Sequence, residues 1–447
     1  MPFSPADSAI FAPLFGDSEI ASVFSDEQFI RNMIAVERAL ARAQGRLGVI
    51  PAEAASEIES AAATLKVDMD RLRAETEKDG FPVIELVRQI RGHVETKAAD
   101  YVHWGATTQD IMDTALVLQI RAALEVFENT LQSLVKNLAA LADRHRHTLM
   151  AGRTHSQQAL PITFGFKAAN WLAPLLRHRE RLAEIKPRVL VVQFGGAVGT
   201  LAALGEKGLQ VHEGLAEALK LSILPMPWHT QRDNLAEMAN WLSLVSGSLA
   251  KMAQDILLLA QSEVGEVRES NDPIHGGSST MPQKGNPIVS ELILTAARAN
   301  AGHLASMHHA LIHEHERGTH GWQLEWLALP QMFTFTAAAL KHAVWLSENL
   351  QVDEARMREN VRASKGLMLA EVLTAVLAQT MGRAEARKLV GEACRIAVAE
   401  NRHLFDVVRE RTDTPMDWLA LRDEAAHMGS AEAFVDRVLQ KAKRGGV

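Results

Sequence analysis

The chain has 447 residues, 47% hydrophobic but only 5% aromatic, with a formal net charge of −7. That length exceeds what one compact core serves, so several domains are expected. The acidic balance leaves no broad basic field for a nucleic-acid backbone or an anionic membrane surface. The one cysteine, Cys394, excludes an intrachain disulfide and a thiolate zinc cage and suits a reducing compartment, so a cytoplasmic location is expected.

Met1 to Ile20 lacks a basic n-region, and no later stretch reads as an uninterrupted membrane span. Ser25 to Gln28 has the form of a capping box, with Phe24 placed as a hydrophobic staple, and opens a helix that runs to a stop around Gly48 and Pro51. From Pro51 to about His103, Gly80-Phe81-Pro82 and Gly92 separate shorter helices. Residues 1–109 are therefore expected to form an N-terminal helical domain.

Asp110 to about His145 contains neither Gly nor Pro, and Leu116, Ile120, Leu124, Phe127, Leu131, Leu134, Leu138 and Leu141 recur at three- and four-residue steps. That spacing predicts one very long amphipathic helix. Further long helices are predicted at Thr163 to Glu184, Asn234 to Val264, Pro287 to His315 and Leu327 to Leu350. Only lateral packing buries such extended stripes, so residues 110–350 are expected to form a central long-helix bundle. Residues 351–447, with shorter helices, Pro415 and Gly429, read as a C-terminal helical domain. The expected fold class is all-α.

Two segments break the helical pattern. Pro187 to Leu204 carries VLVVQFGGAVGTLAAL, a β-branched run followed by glycines. It fails as a dinucleotide loop because Phe194 stands where the first glycine of G-x-G-x-x-G belongs and no alternating strands surround it, so a short hairpin or turn is expected. Arg268 to Pro287, RESNDPIHGGSSTMPQKGNP, is the least core-like stretch, yet it interrupts two core helices. Its glycines, Ser278, Ser279 and Lys284 suit a lid closing over an anionic substrate, although composition alone favours a solvated linker.

Gly277-Ser278-Ser279-Thr280-Met281-Pro282-Gln283-Lys284-Gly285-Asn286-Pro287 resembles the G-S-S-x-M-P-x-K-x-N-P signature of the fumarase/aspartase superfamily. Two further segments match it in order: His103-Trp104-Gly105-Ala106-Thr107-Thr108-Gln109-Asp110 and Gly152-Arg153-Thr154-His155-Ser156-Gln157. The resemblance implies a three-domain helical protein whose bundles join in a twenty-helix homotetramer core, with active sites built from several subunits. It also implies chemistry across a carbon-carbon bond beside a carboxylate, through an enolate-like intermediate that needs preorganised donors but no cofactor and no metal.

By that correspondence Ser278 is the proton-transferring serine, Lys284 helps activate it, and His155 is the acid or proton-transfer partner. Substrate binding is assigned to His103, Thr107, Thr108, Gln109, Arg153, Thr154, Ser279, Met281, Asn286 and Arg317. His308, His309, His313, His315 and His320 look like a metal cluster, but HExxH is absent and no ligand pattern emerges.

Within the superfamily, HWGATTQDIMDTA, AGRTHSQQALPITFG, QFGGAVGTLAALG, PWHTQRD and HERGTHGWQLEWLALP are similar to bacterial carboxymuconate cycloisomerases. That similarity implies intramolecular carboxylate addition converting 3-carboxy-cis,cis-muconate to 4-carboxymuconolactone, in protocatechuate catabolism. Adenylosuccinate lyase or another superfamily lyase is the alternative. Adenylosuccinate lyases typically carry an Arg-Tyr pair near the N-terminus, and here Tyr101 follows Asp100. A non-catalytic scaffold role sits poorly with the retained Ser278, Lys284 and Asn286. A nicotinamide oxidoreductase would need the 187–204 segment to bind dinucleotide.

Overall fold

The computed structural model describes residues 4–272, 275–281 and 283–445. Helix α1 (Asp26–Arg46) starts where Ser25 accepts the Gln28 N–H at 3.2 Å. The capping box is only half formed, because the Gln28 amide turns away and donates to Asn32 at 3.0 Å. Phe24 packs its ring on Phe333, centroids 5.0 Å apart. Short helices at Ala52–Thr64, Met69–Asp79 and Val83–His93 follow.

Helix α2 spans Thr108–Arg144. Seven of the eight stripe residues are buried, from Ile120 to Leu141, and Leu116 instead lines a cavity. After α2 the chain forms an antiparallel hairpin of β1 (Leu149–Thr154) and β2 (Gln157–Thr163), which helical periodicity did not foretell. Then come α3 (Phe164–Val189), α4 (Asp233–Leu259), the two-residue strand β3 (Val267–Arg268), α5 (Ile288–His309), α6 (His320–Asn349) and β4 (Gln351–Val352), which pairs with β3. The fold is all-α with two small two-stranded sheets.

Helices α3 and α4 end at Val189 and Leu259, five residues from the expected Glu184 and Val264, and two further helix boundaries moved for local reasons. Helix α5 stops at His309, because the chain beyond it forms the irregular segment that carries Arg317. Helix α6 begins seven residues before Leu327 and runs through Pro330, so lateral packing outweighs the one backbone donor that proline removes. Of the hairpin or turn expected after α3, the turn is present at 197–198, in a coil whose described residues hold a parallel bridge, Val191 to Ser222.

Helix α4 is long and apolar enough to cross a membrane by length and composition, contrary to the reading of the sequence. Its buried Leu235, Met238, Leu242, Val245, Leu249 and Met252 recur at helical spacing, as a core helix requires.

The chain divides into two compact units. The first comprises Met1–Thr130, His178–Gly247 and Thr295–Lys341. In its core Phe127 stacks on Trp241 and Phe333, and Asn300 ties Ser246 to Thr336. The second comprises Leu131–Arg177, Ser248–Leu294 and His342–Val447. There Trp171 donates to Asp255 at 2.7 Å, and Leu369, Leu373, Leu377, Leu404 and Phe405 form a C-terminal helical core.

Candidate active site

In the first unit the site grows from the start of α2. Thr107 precedes the first helical residue and Asp110 occupies the third helical position. Asp110 Oδ2 accepts the Thr107 N–H at 3.0 Å, the carboxylate half of a capping box. The same carboxylate also accepts Gly195 N–H at 3.0 Å, Gly196 N–H at 2.9 Å, the Gln193 amide and His229 Nε2 at 2.7 Å. The glycine loop that resembled a phosphate cradle therefore wraps an internal anion. Gly196 has φ +68°, and a Cβ on Gly195 would meet Pro227 at 2.8 Å, so both positions require glycine.

Thr107, Gln109 and Arg317 are brought together as expected. Arg317 Nη1 donates to Thr107 Oγ1 at 2.7 Å and Nε donates to Gln109 Oε1 at 2.9 Å. Thr108, the first residue of α2, is half-buried beside them in sequence. Burial lowers the Arg317 pKa, opposed by the charges of Asp110 and Asp113. Among the described residues no carboxylate forms an ion pair with Arg317, whereas Arg153 has one and Arg232 has two.

Gln109 departs from its expected role as a substrate donor. It is fully buried, and its Nε2 is committed to Asp113 Oδ2 at 3.1 Å and the His229 carbonyl at 2.9 Å. A committed amide has no donor left to offer a ligand. His103, with φ +64°, likewise turns inward to Glu37 at 2.5 Å. Burial pulls the His103 pKa down, but the Glu37 charge and hydrogen bond outweigh it and the net shift is upward.

Behind Gln109 lies a fully buried ion cluster. Arg232 donates to Asp113 Oδ2 at 2.6 Å and Oδ1 at 3.0 Å, and to Glu325 Oε1 at 2.8 Å and Oε2 at 2.5 Å. Its guanidinium lies 4.7 Å above the Trp228 ring, and Trp322 Nε1 donates to Asp113 at 2.9 Å. Burial disfavours the Arg232 charge, yet the two carboxylates more than compensate and hold it ionised. Burial raises the Glu325 pKa against the pull of Arg232. A cavity of about 590 Å³ also borders Asp113 and Glu325, but Met33, Met112, Trp322 and Trp326 line it, with Asp26 and the paired Asp70 and Arg73. A largely apolar cavity whose one arginine is paired and outnumbered by carboxylates does not suit a polyanion.

The second unit carries the remaining candidates. Arg153, expected to clamp substrate, instead grips the fully buried Glu266 with both forks, at 2.9 and 2.6 Å. Asn360 donates to the same carboxylate at 2.8 Å. A buried carboxylate left alone would be costly, so Arg153 is committed to the fold. Thr154 and Gln157 pair across a two-residue hairpin turn. Its central residues, His155 and Ser156, have φ of +50° and +62°, as a type I′ turn demands. Asn-Gly is the usual choice there, so keeping His155 costs on the order of 1 kcal/mol of backbone strain. The turn leaves His155 and Thr154 exposed at its tip.

The signature loop is pinched shut at its base. Asn286 N–H donates to the Gly276 carbonyl at 2.8 Å, and Gly277 bridges Gly285. Glu269 caps the start of α5 by accepting the Val289 and Ser290 N–H groups at 3.1 and 2.7 Å, and it also meets His275 at 3.2 Å. At the tip, Ser278 Oγ accepts the Met281 N–H at 3.2 Å and the Thr280 N–H at 3.4 Å. Two aimed amides favour a developing alkoxide. Lys284, expected to assist directly, makes no side-chain hydrogen bond or ion pair among the described residues and is exposed, as are Ser279 and Met281. Pro282 of the signature lies outside the described residues.

Reading the sequence missed Asp110, Asp113, His229, Arg232, Glu266, Glu269 and Glu325. The usable signal was charge on a core face: Asp110, Asp113 and Glu325 occupy helix positions that periodicity assigns to the interior.

The geometry can now be set beside known proteins. A lyase family model matches residues 16–302 and a model of the adenylosuccinate lyase C-terminus matches residues 366–438. The chain belongs to the fumarase/aspartase superfamily of lyases. It is 44% identical to 3-carboxy-cis,cis-muconate cycloisomerase of Pseudomonas aeruginosa, over 96% of this chain and 95% of that one. Among solved structures it is similar to a fumarate lyase from Mesorhizobium sp. BNC1, with 46% identity, TM-score 0.90 and coverage of 97% and 99% of the two chains. It is also similar to the 3-carboxy-cis,cis-muconate lactonizing enzyme from Pseudomonas putida, with 41% identity, TM-score 0.91 and coverage of 98% and 100%.

Proposed function

We infer that this chain is a cycloisomerase that converts 3-carboxy-cis,cis-muconate to 4-carboxymuconolactone. The observation that carries the reading is Arg317, a half-buried cation with no carboxylate partner among the described residues, held beside Thr107 at the start of a 37-residue helix. Such a cation at a helix N-terminus suits the carboxylates of a trianion. Near-full-length similarity to proteins named for this reaction supports the substrate.

In the reaction one carboxylate oxygen bonds to the adjacent double bond. The displaced electron pair moves to the carbon beside another carboxylate and forms the enolate-like intermediate. Because nucleophile and electrophile share one molecule, the protein holds the folded-over conformer and supplies a proton. Ser278 is that donor, and its alkoxide is stabilised by the Thr280 and Met281 N–H groups. Arg317, Thr107 and Thr108 of the first unit hold one carboxylate, and Lys284, Asn286 and Ser279 of a signature loop hold another, in a site that the resemblance builds from several subunits. His155, at the hairpin tip, orients the substrate, since no separate leaving group requires an acid.

Homotetramer assembly is part of the proposal. It rests on the resemblance to the superfamily, and the long helices keep Leu244, Leu258 and Leu327 49%, 47% and 66% exposed, where a partner subunit would cover them. A cytoplasmic role in protocatechuate catabolism fits the composition.

The test is loss of the conjugated diene absorbance when purified protein meets 3-carboxy-cis,cis-muconate, run beside adenylosuccinate with no metal or nucleotide added. Turnover of the first alone is expected. Turnover of adenylosuccinate alone would move the chain to the lyases, and silence on both would overturn the reading.

A further inference from the structure

Among the described residues, the acceptors that orient Arg317 are all uncharged: Gln109 Oε1 at 2.9 Å, Thr107 Oγ1 at 2.7 Å and the Ala197 carbonyl at 3.5 Å. A glutamine amide turned by 180° would set its N–H₂ against that guanidinium, donor against donor. The opposite end of the same amide prevents this turn. Gln109 Nε2 faces the Asp113 carboxylate and the His229 carbonyl, so the turned amide would also set oxygen against two oxygens.

Asp113 can perform this role only while it is ionised and fixed. Both its oxygens meet donors exclusively: Gln109 and Arg232 at Oδ2, Arg232 and Trp322 at Oδ1. The second carboxylate, Glu325, grips the other side of Arg232 and fixes the guanidinium plane. Every member of the relay is at most 1% exposed in its side chain or fully buried, so each link is made by protein groups in fixed geometry.

We propose that Glu325, Arg232, Asp113 and Gln109 form a buried positioning relay that fixes the direction in which Arg317 presents its guanidinium to the substrate carboxylate. These are positioning residues that act through Arg317 and touch no substrate. The inference rests on the reading of Arg317 as a carboxylate clamp.

The experiment is a double-mutant cycle in kcat and KM for 3-carboxy-cis,cis-muconate, using Asp113→Asn, Arg317→Ala and the double variant of the full-length protein. Asp113→Asn preserves shape and keeps Arg232 paired with Glu325, but an amide there must set N–H₂ against a donor on one side or the other. It should raise KM about tenfold and change kcat less than about threefold, the signature of lost binding that ground and transition states share. In the Arg317→Ala background the same change should alter kcat/KM by less than about twofold, because the relay then has nothing to position.

Gln109→Met removes the amide and leaves the ion cluster whole, so it provides the same cycle should Asp113→Asn fail to fold. Losses that multiply in the double variant, or a fall in kcat at constant KM, would overturn the relay while leaving Arg317 as the clamp. A wild-type KM in Arg317→Ala itself would overturn the clamp, and the relay with it.

Discussion

Arg232→Met tests whether the buried cluster is held by its central cation. The substitution keeps most of the side-chain volume but removes four hydrogen bonds of 2.5–3.0 Å to two carboxylates that are each 1% exposed. Removing one partner of a buried ion pair costs about 3–5 kcal/mol, because the remaining charge stays desolvated. Here two like charges remain, and each should gain a proton more readily than in the unfolded chain. Their folded pKa values then lie above the unfolded ones, so the folded state binds more protons and the variant gains stability as pH falls. The deficit against wild type should be about 3–5 kcal/mol near pH 7.5 and should shrink towards pH 5.5. Urea unfolding followed by tryptophan fluorescence suits the measurement, because Trp228 and Trp322 both touch the cluster. A deficit below about 1 kcal/mol, or one equal at both pH values, would refute the reasoning. Replacing Arg232, Asp113 and Glu325 together by apolar residues of similar volume should restore most of the loss.

Ser278→Ala should lower kcat by at least about a hundredfold with little change in KM, as measured by diene loss, since it removes a proton donor rather than a binding contact. Gly276→Ala places a Cβ 2.0 Å from the Asn286 carbonyl at φ +68°. It should unpin the loop base and reduce kcat about tenfold or more, while far-ultraviolet dichroism and the urea midpoint stay near wild type. Glu37→Gln removes the charge that holds the His103 pKa above its ordinary value of 6.5 despite burial. A raised histidine pKa stabilises fully below the unfolded value and loses that contribution as pH rises through the folded one. The stability gap between wild type and variant should therefore narrow as the pH rises above the ordinary histidine value of 6.5, and a gap that widens would contradict the pairing.

Much of the site could be located in the sequence but not assigned its contacts. The signature loop stood out because a polar, glycine-bearing stretch interrupted two long apolar helices, whereas the segments at His103 and His155 were found through the resemblance to the superfamily. Their residues then divided by burial in the fold. Arg317 and Thr107 met as expected, while Arg153 was captured by Glu266 and Gln109 by Asp113. A cation in a motif looks the same in sequence whether its partner is a ligand or a carboxylate 113 residues away.

The hairpin at 149–163 was missed for a related reason. Its two strands are short, and the turn residues His155 and Ser156 lack the Asn-Gly chemistry that announces a type I′ turn. The glycines of the 195–199 loop were legible as glycines, but their purpose was not, because the anion they enclose is Asp110, some 85 residues earlier.

The sequence by itself determined the helices, since a repeat of three and four residues and an N-cap act over a few residues of chain. It also determined the superfamily, through an eleven-residue signature. Only the tertiary structure decided which charges are spent on the fold and which stay available to a ligand. Pairing of a buried charge depends on who lies within about 4 Å, and that distance is set by packing between segments far apart in the chain.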